Sequence, residues 1–300
     1  MKAKEINGII PPIQTAFTKD GDIYEQGIRN LIRFTLPHVH AYFPIGTYGV
    51  GPLMTQDERK KVLEIQLDEI NGKVPVIAHV GATSTREAVA LAQHAKSAGA
   101  AAVAAISPYY SPGLPEDMLF GHFASLVDAV ADEDFPVFIY NNPHYCQNTV
   151  TPAFLKRLAD YGVAGCKEAT FDLVNFYKLQ EAVLETHPDF SMIVGTEAIF
   201  IGAYDAGADG CVCGMGNIYP EVMRKMHDQY FAGDRKGAIE SQRLILKIRS
   251  LTKLGPTIPI MHAILDLRGV DAGFPRKPYT LIDNALKEKI KAELQALKLL

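Results

Sequence analysis

The 300-residue chain has no tryptophan and only four cysteines, Cys146, Cys166, Cys211 and Cys213. Four thiols spread over that length do not make a disulfide scaffold. They fit a reducing compartment, and a cytoplasmic location is the expectation. No apolar run reaches the ~18 residues that a membrane-spanning helix needs, and the opening MKAKEINGIIPP lacks the apolar core of a signal peptide. Long basic runs are missing too: 30 lysines and arginines stand against 34 aspartates and glutamates, for a net charge of −4. Neither nucleic acid nor a membrane is therefore an expected partner. Cys211 and Cys213 alternate within GCVCG, but no paired histidine motif accompanies them. They read as small buried hydrophobes, and no metal site is expected. No glycine-rich dinucleotide fingerprint follows the first apolar run, which counts against a doubly wound open sheet.

What the sequence does have is alternation. The short apolar runs GIIPPI, AYFPIG, VPVIAHV, AAVAAI, FPVFIY, VAGCK, FSMIVG and DGCVCG are each followed by a helical pattern. Thr55 with Glu58 and Ser84 with Glu87 have the spacing of capping boxes. Thr151 reads as an N-cap with Pro152 at the first helical position. SAGAAAV near residue 100 and DAGADGCV near residue 208 repeat one device, a glycine ending a helix directly before a strand. Fully apolar strands separated by helices predict a parallel sheet covered by those helices. Eight such units predict a (β/α)8 TIM barrel over residues 1–230. Residues 231–300 are helical in pattern and are expected to pack on the barrel as a C-terminal extension, without an intervening linker.

Such barrels carry their chemistry at the C-terminal ends of the strands. GTYGVG (46–51), SPYYSPG (107–113), YNNP (140–143) and Lys167, at the end of VAGCK, fall there. A lysine at a strand end inside an apolar mouth loses hydration, which lowers its pKa and exposes a neutral amine. That amine can attack a ketone, and the resulting protonated imine takes up the electron pair of a breaking carbon–carbon bond. The competing reading is a lysine that snorkels to solvent at the rim. Tyr140 ends the neighbouring strand and can shuttle protons if a second hydroxyl, Thr47, holds it. Backbone N–H groups of the GTYG turn can hold a 2-oxo acid's carboxylate. Alternatively, Tyr140 only fills the barrel mouth and GTYG is an ordinary loop.

The order GTYG, PYY, YNNP, GCKEA resembles the dihydrodipicolinate synthase/N-acetylneuraminate lyase family, and the resemblance runs over essentially the whole chain. It implies a (β/α)8 barrel with a helical C-terminal extension, assembled as a homotetramer. It implies that Lys167 forms the Schiff base with pyruvate or another 2-oxo acid and that Tyr140 shuttles protons. Thr47 relays protons, and the amides of Thr47 and Tyr48 hold the carboxylate. Tyr110 would complete the relay in a neighbouring subunit's site. Gly195 of GTEA and Gly214 of GMGN are expected to face the substrate; Glu197 of GTEA either hydrogen-bonds substrate hydroxyls or sits in the first turn of a helix and complements its dipole. GMGN has no lysine or arginine nearby in the sequence and reads as a pocket wall. His144 is expected in a hydrogen-bonded structural role.

Several positions depart from the family pattern. Tyr48 stands where a second small hydroxyl is usual, and Val50 where an acid is usual. Tyr145 stands where the synthase branch has an arginine that grips a carboxylate, and Ala169 where the sialic acid lyase branch has a threonine. The expected activity is a class I aldolase-type lyase that reversibly cleaves a 2-oxo acid to pyruvate and an aldehyde, with no metal or organic cofactor. The alternatives are a hydratase-aldolase or dehydratase acting on an aromatic or 2-oxo-3-deoxy sugar acid through the same imine. A noncatalytic 2-oxo-acid sensor is the alternative from another class.

Overall fold

A computed structural model of the chain describes residues 1–130 and 134–300. Among these residues, seven strands form one sheet: β1 (Gly8–Ile10), β2 (Ile77–His79), β3 (Ala102–Ile106), β4 (Val137–Asn141), β5 (Gly165–Glu168), β6 (Ser191–Val194) and β7 (Gly210–Val212). The order across the sheet is β1-β7-β6-β5-β4-β3-β2, and every pairing is parallel. Helices α1 (Glu25–Thr35), α2 (Gln56–Ile70), α3 (Thr85–Ser97) and α4 (Glu116–Ala129) occupy the first half of the chain. They are followed by α5 (Pro143–Cys146), α6 (Pro152–Tyr161), α7 (Leu173–Leu184), α8 (Phe200–Asp205) and α9 (Pro220–Phe231). Beyond the last strand lie α10 (Arg235–Leu251), α11 (Thr257–Leu267) and α12 (Asn284–Ala296). None of the described helices is long and apolar enough to cross a membrane.

The eighth expected strand, AYFPIG, is not a regular strand. Only Tyr42 pairs, in an isolated bridge with Val76. Pro44 has no N–H to offer a ladder, and Ile45 turns the chain away with φ 62°. The segment nevertheless joins the two edge strands. On one side His40 N–H and Phe43 N–H donate to the carbonyls of Ile9 (2.9 Å) and Pro11 (3.0 Å). On the other, Ile77 N–H and His79 N–H donate to the carbonyls of Tyr42 (2.9 Å) and Pro44 (3.2 Å). The sheet therefore curls until an irregular stave closes it.

Strand alternation sorts side chains into two cores. Ile10, Ala41, Phe43, Ile77, Ala104, Phe138, Tyr140, Ile193 and Val212 fill the inside of the ring. Ile9, Ala78, Val103, Ile139, Cys166, Met192 and Cys211 face outward and meet the helices. Gly165 lacks a side chain where Phe138 needs the space, since a Cβ there would lie 2.2 Å from the Phe138 ring. Cys211 and Cys213 are buried thiols in the outer core.

The caps are local. Thr55 Oγ1 accepts from Glu58 N–H, and the Glu58 carboxylate accepts from Thr55 N–H in return. The Ser84 box is only half formed. Ser84 Oγ accepts from Glu87 N–H, but the Glu87 carboxylate is taken by Gln56 Nε2 at 2.9 Å. Thr151 caps α6 as the spacing predicts. In the last 70 residues, Ile245, Ile264, Ile290 and Leu294 are fully buried and join the outer core. Arg276 ties the tail back to the N-terminal half by donating to the Leu53 carbonyl (3.1 Å) and pairing with Glu58.

Candidate active site

Lys167 lies near the end of β5 with its side chain inside the ring and is 4% exposed. Its Nζ sits 3.6 Å from the centroid of the Tyr140 ring and 4.0 Å from that of Phe43. Among the described residues no carboxylate pairs with it. The adjacent Glu168 points to the opposite face of the strand, where Asn141 Nδ2 and the Thr170 N–H and hydroxyl donate to its carboxylate. That clamp fixes the strand end without neutralising the amine. Burial outweighs the favourable ring faces and pulls the ammonium down to about 7. Lys167 is therefore not a snorkelling rim lysine.

Tyr140 is the cross-strand partner of Lys167 in the β4–β5 register. Its hydroxyl lies 3.4 Å from Thr47 Oγ1 and accepts from Asn142 Nδ2 at 2.8 Å. Burial raises the phenol's pKa, and the two hydrogen bonds pull against that. The hydroxyl is thus a protonated acid with a held orientation, within reach of groups attached to Lys167. Sequence reasoning placed Thr47 here but did not assign Asn142 a part. The only signal for it was its position two residues after Tyr140 in YNNP.

Thr47 is presented by a strained loop. Ile45 (φ 62°) and Val50 (φ 48°) are β-branched residues in left-handed conformation, at a cost of roughly 1–3 kcal/mol each. Tight packing enforces it: a Cβ on Gly51 would lie 2.1 Å from the Ile45 carbonyl oxygen, and Thr15 Oγ1 donates to the Gly49 carbonyl at 2.8 Å. Val50 is 5% exposed in the core, where an acid would be buried. His79, at the end of β2, is buried beside Tyr140, with Nδ1 3.3 Å from the Ile45 carbonyl oxygen.

Lys167, Tyr140, Thr47, Tyr48, Gly195, Glu197 and Gly214 all line one cavity of about 400 Å³. Two of the glycines serve the walls. A Cβ on Gly214 would lie 2.8 Å from the Tyr48 hydroxyl oxygen, so Gly214 makes room for the phenol at position 48. A Cβ on Gly195 would lie 2.6 Å from that of Ala169, where the ends of β5 and β6 approach. Glu197 is 3% exposed and pairs with Arg249 Nε at 3.1 Å.

Arg249 and Lys253, from the end of α10 and just beyond it, line the same cavity as Gly214. GMGN has no cation near it in the sequence; those that share its cavity arrive from the tail, and nothing in the local sequence marks them. His144 is exposed at the rim and, among the described residues, makes no hydrogen bond in place of the structural one expected. Tyr145 is 51% exposed beside it. Tyr110 is 85% exposed and does not line the cavity of its own chain. Among the described residues no three His, Cys, Asp or Glu side chains cluster to hold a metal.

The same arrangement of chain is found in known proteins. The model of the dihydrodipicolinate synthetase family matches residues 5–297. The 4-hydroxy-tetrahydrodipicolinate synthase of Methanopyrus kandleri is 35% identical over 301 residues, covering 99% of this chain and 98% of its own. YagE of Escherichia coli K12, named as a candidate 2-dehydro-3-deoxy-D-gluconate aldolase, is 30% identical over 297 residues, 97% of each chain. The crystal structure of YagE in complex with pyruvate superposes with a TM-score of 0.93 at 29% identity, covering 98% of this chain and 99% of that one. With the match spanning nearly every residue, the chain belongs to the dihydrodipicolinate synthetase family.

Proposed function

We propose that the protein is a class I, Schiff-base-forming lyase that reversibly cleaves a 2-oxo acid to pyruvate and an aldehyde. The observation that carries this is the Lys167 amine, buried without a carboxylate partner among the described residues and pulled down to about 7, beside the Tyr140 ring. The names of its relatives, a lyase class among them, agree with that chemistry.

In the proposed sequence, neutral Lys167 Nζ attacks the ketone carbon and the carbonyl oxygen takes a proton from Tyr140. A second proton, passed from the attacking nitrogen to that oxygen, lets it leave as water and leaves a protonated imine, with Tyr140 as the phenolate. Tyr140, now the phenolate, removes the proton from the substrate's hydroxyl. The carbon–carbon bond breaks, its electron pair moves into the iminium to give an enamine, and the aldehyde departs. Protonation of the enamine carbon and hydrolysis release pyruvate and restore the lysine. The amides of Thr47 and Tyr48 hold the carboxylate throughout. Asn142, by donating to the Tyr140 oxygen, stabilises the phenolate as it forms.

The proposal needs neither a metal nor an organic cofactor and assigns the protein to the cytoplasm. It includes a homotetramer in which Tyr110 enters a neighbouring subunit's site. Its own exposure supports this, as does a second cavity of about 270 Å³, lined by Thr47, Tyr140, Tyr109 and Tyr279, with space for an aromatic ring. Residues 1–230 supply the barrel and 231–300 the helical extension that brings Arg249.

The test is borohydride reduction with pyruvate followed by peptide mass mapping. A reduced adduct on Lys167, absent in Lys167→Arg, is the expected result. No adduct with any of several 2-oxo acids would sink the lyase and leave the sensor. Product analysis with sugar and aromatic 2-oxo acids then separates the aldolase from the dehydratase and hydratase-aldolase outcomes.

A further inference from the structure

Glu168 is a buried carboxylate that the imine chemistry does not use. It follows Lys167 on β5, on the opposite face of the strand, and is 2% exposed. Its neighbours on that face, Ile139 on β4 and Cys166 on β5, meet the helices as apolar groups. Burial raises the carboxyl's pKa, and its hydrogen bonds pull the other way. A desolvated charge is expensive unless it is fully bonded. Here every bond is accepted. Oε2 takes one from Asn141 Nδ2, and Oε1 takes two, from the Thr170 N–H at 2.7 Å and from the Thr170 hydroxyl.

These partners place it under the reacting pair. Asn141 and Glu168 form the last cross-strand pair of the β4–β5 ladder, directly after Tyr140 and Lys167. One more backbone bond, from Ala169 N–H to the Asn141 carbonyl at 3.0 Å, closes that ladder. The strands then part: Pro143 starts α5, and Phe171 turns left-handed at φ 65°. A ladder end has no further rung to hold its spacing. The Asn141–Glu168 bond on the outer face does so at the point where Lys167 Nζ lies 3.6 Å from the Tyr140 ring centroid on the inner face. Asn141 is also pinned at its other atom, since its Oδ1 accepts from Val150 N–H at 3.4 Å. The next residue, Asn142, turns back inside and donates to the Tyr140 oxygen at 2.8 Å.

Resting on the imine reading of Lys167, we infer that Glu168 is a positioning residue that acts through Asn141 and Asn142 to hold the Tyr140 hydroxyl in line for proton transfer at the imine. The role needs a carboxylate, because a carboxylate only accepts. A carboxamide at position 168 sets its Nε2 against Asn141 Nδ2, donor against donor. Turning the Asn141 amide over moves that clash to the Val150 N–H. Exchanging the two groups, Asn141→Asp with Glu168→Gln, reverses one bond and keeps the others. The new carboxamide then donates to the new carboxylate, whose second oxygen still accepts from Val150. The carboxamide oxygen still accepts from Thr170.

The test uses pyruvate alone in heavy water. Once the imine with Lys167 has formed, a methyl proton passes to the Tyr140 phenolate. The C–H electron pair becomes the enamine double bond, and the π pair of the iminium moves to nitrogen. Reversal returns a deuteron, so NMR reads the step as loss of the methyl signal. Glu168→Gln should slow this exchange by about 10²-fold, the scale for a displaced catalytic group. The final extent of borohydride labelling on Lys167 should not change. Added to Tyr140→Phe, Glu168→Gln should cost nothing further, and the exchanged pair should recover most of the wild-type rate. Equal losses in the wild-type and Tyr140→Phe backgrounds would show a merely structural role and overturn the inference. So would an exchanged pair no faster than Glu168→Gln alone. If Glu168→Gln does not fold, Asn141→Ala takes its place and must show the same dependence on Tyr140. Failure of pyruvate to label wild type would sink the imine reading alone, because the Cζ resonance of Tyr140, assigned by its loss in Tyr140→Phe, tests the positioning without substrate. A resonance that shifts in Glu168→Gln and returns in the exchanged pair supports the positioning role; one that does not move overturns it.

Discussion

Replacing Lys167 by methionine should make the fold more stable, and the gain should depend on pH. Methionine is close to the lysine stem in length and carries no charge to desolvate. Burial moves the lysine from 10.5 to about 7. At about 1.4 kcal/mol per pKa unit, that displacement costs the folded state roughly 5 kcal/mol when the group is charged in both states. The sign follows from proton counting. Between about pH 7 and 10.5 the unfolded chain keeps a proton that the folded chain has lost, so wild-type stability rises with pH there. Above 10.5 both states are neutral and the penalty is gone; below 7 both are charged and it is complete. The methionine side chain titrates nowhere, so subtracting the two curves cancels every other ionisable group. The advantage of Lys167→Met should be roughly 5 kcal/mol at about pH 6.5, about 3 at about pH 8 and under ~1 at about pH 10. Urea unfolding at those three values measures it, with the midpoint multiplied by the slope. Two curves that stay parallel within ~0.5 kcal/mol across that range would show that the amine is hydrated in the native state. The reason for calling it a nucleophile would go with it.

Three further outcomes are expected. Tyr140→Phe should lower kcat by about 10²–10⁴-fold, the range for loss of a positioned proton-transfer group, while Lys167 remains reducible onto pyruvate; undiminished turnover would remove the shuttle. Asn142→Ala deletes the 2.8 Å hydrogen bond to the Tyr140 oxygen, which helps lower the phenol's pKa. It should slow kcat about tenfold, worth ~1.4 kcal/mol, and move the alkaline limb of the pH–rate profile upward. A limb that stays in place would deny Asn142 its part. Gly214→Ala puts a methyl group 2.8 Å from the Tyr48 hydroxyl oxygen. It should raise KM and cost about 1–3 kcal/mol of stability, and pairing it with Tyr48→Thr should restore the stability. A destabilisation that persists in the pair would place the clash elsewhere.

Local chemistry is what the sequence by itself determined. Apolar runs between helical patterns set a parallel sheet, because backbone pairing and the two side-chain periods are decided over a few residues. Thr55 and Thr151 set helix starts for the same reason. A lysine closing an apolar run already implied a desolvated amine, and the register of two neighbouring strands was enough to bring Tyr140 beside it.

Other features were decided only when distant segments met. The second run looked like a strand, but Pro44 and the left-handed Ile45 made it an irregular stave held by hydrogen bonds from both neighbours. Half of the Ser84 cap was lost to Gln56, 31 residues from Glu87. The face of Phe43 beneath the amine, the space Gly214 leaves for Tyr48, and the arrival of Arg249 against Glu197 depend on packing between elements far apart in the chain. No local period encodes such meetings. The sequence therefore determined where the amine would be buried, and the tertiary structure alone decided which charges it would share a cavity with.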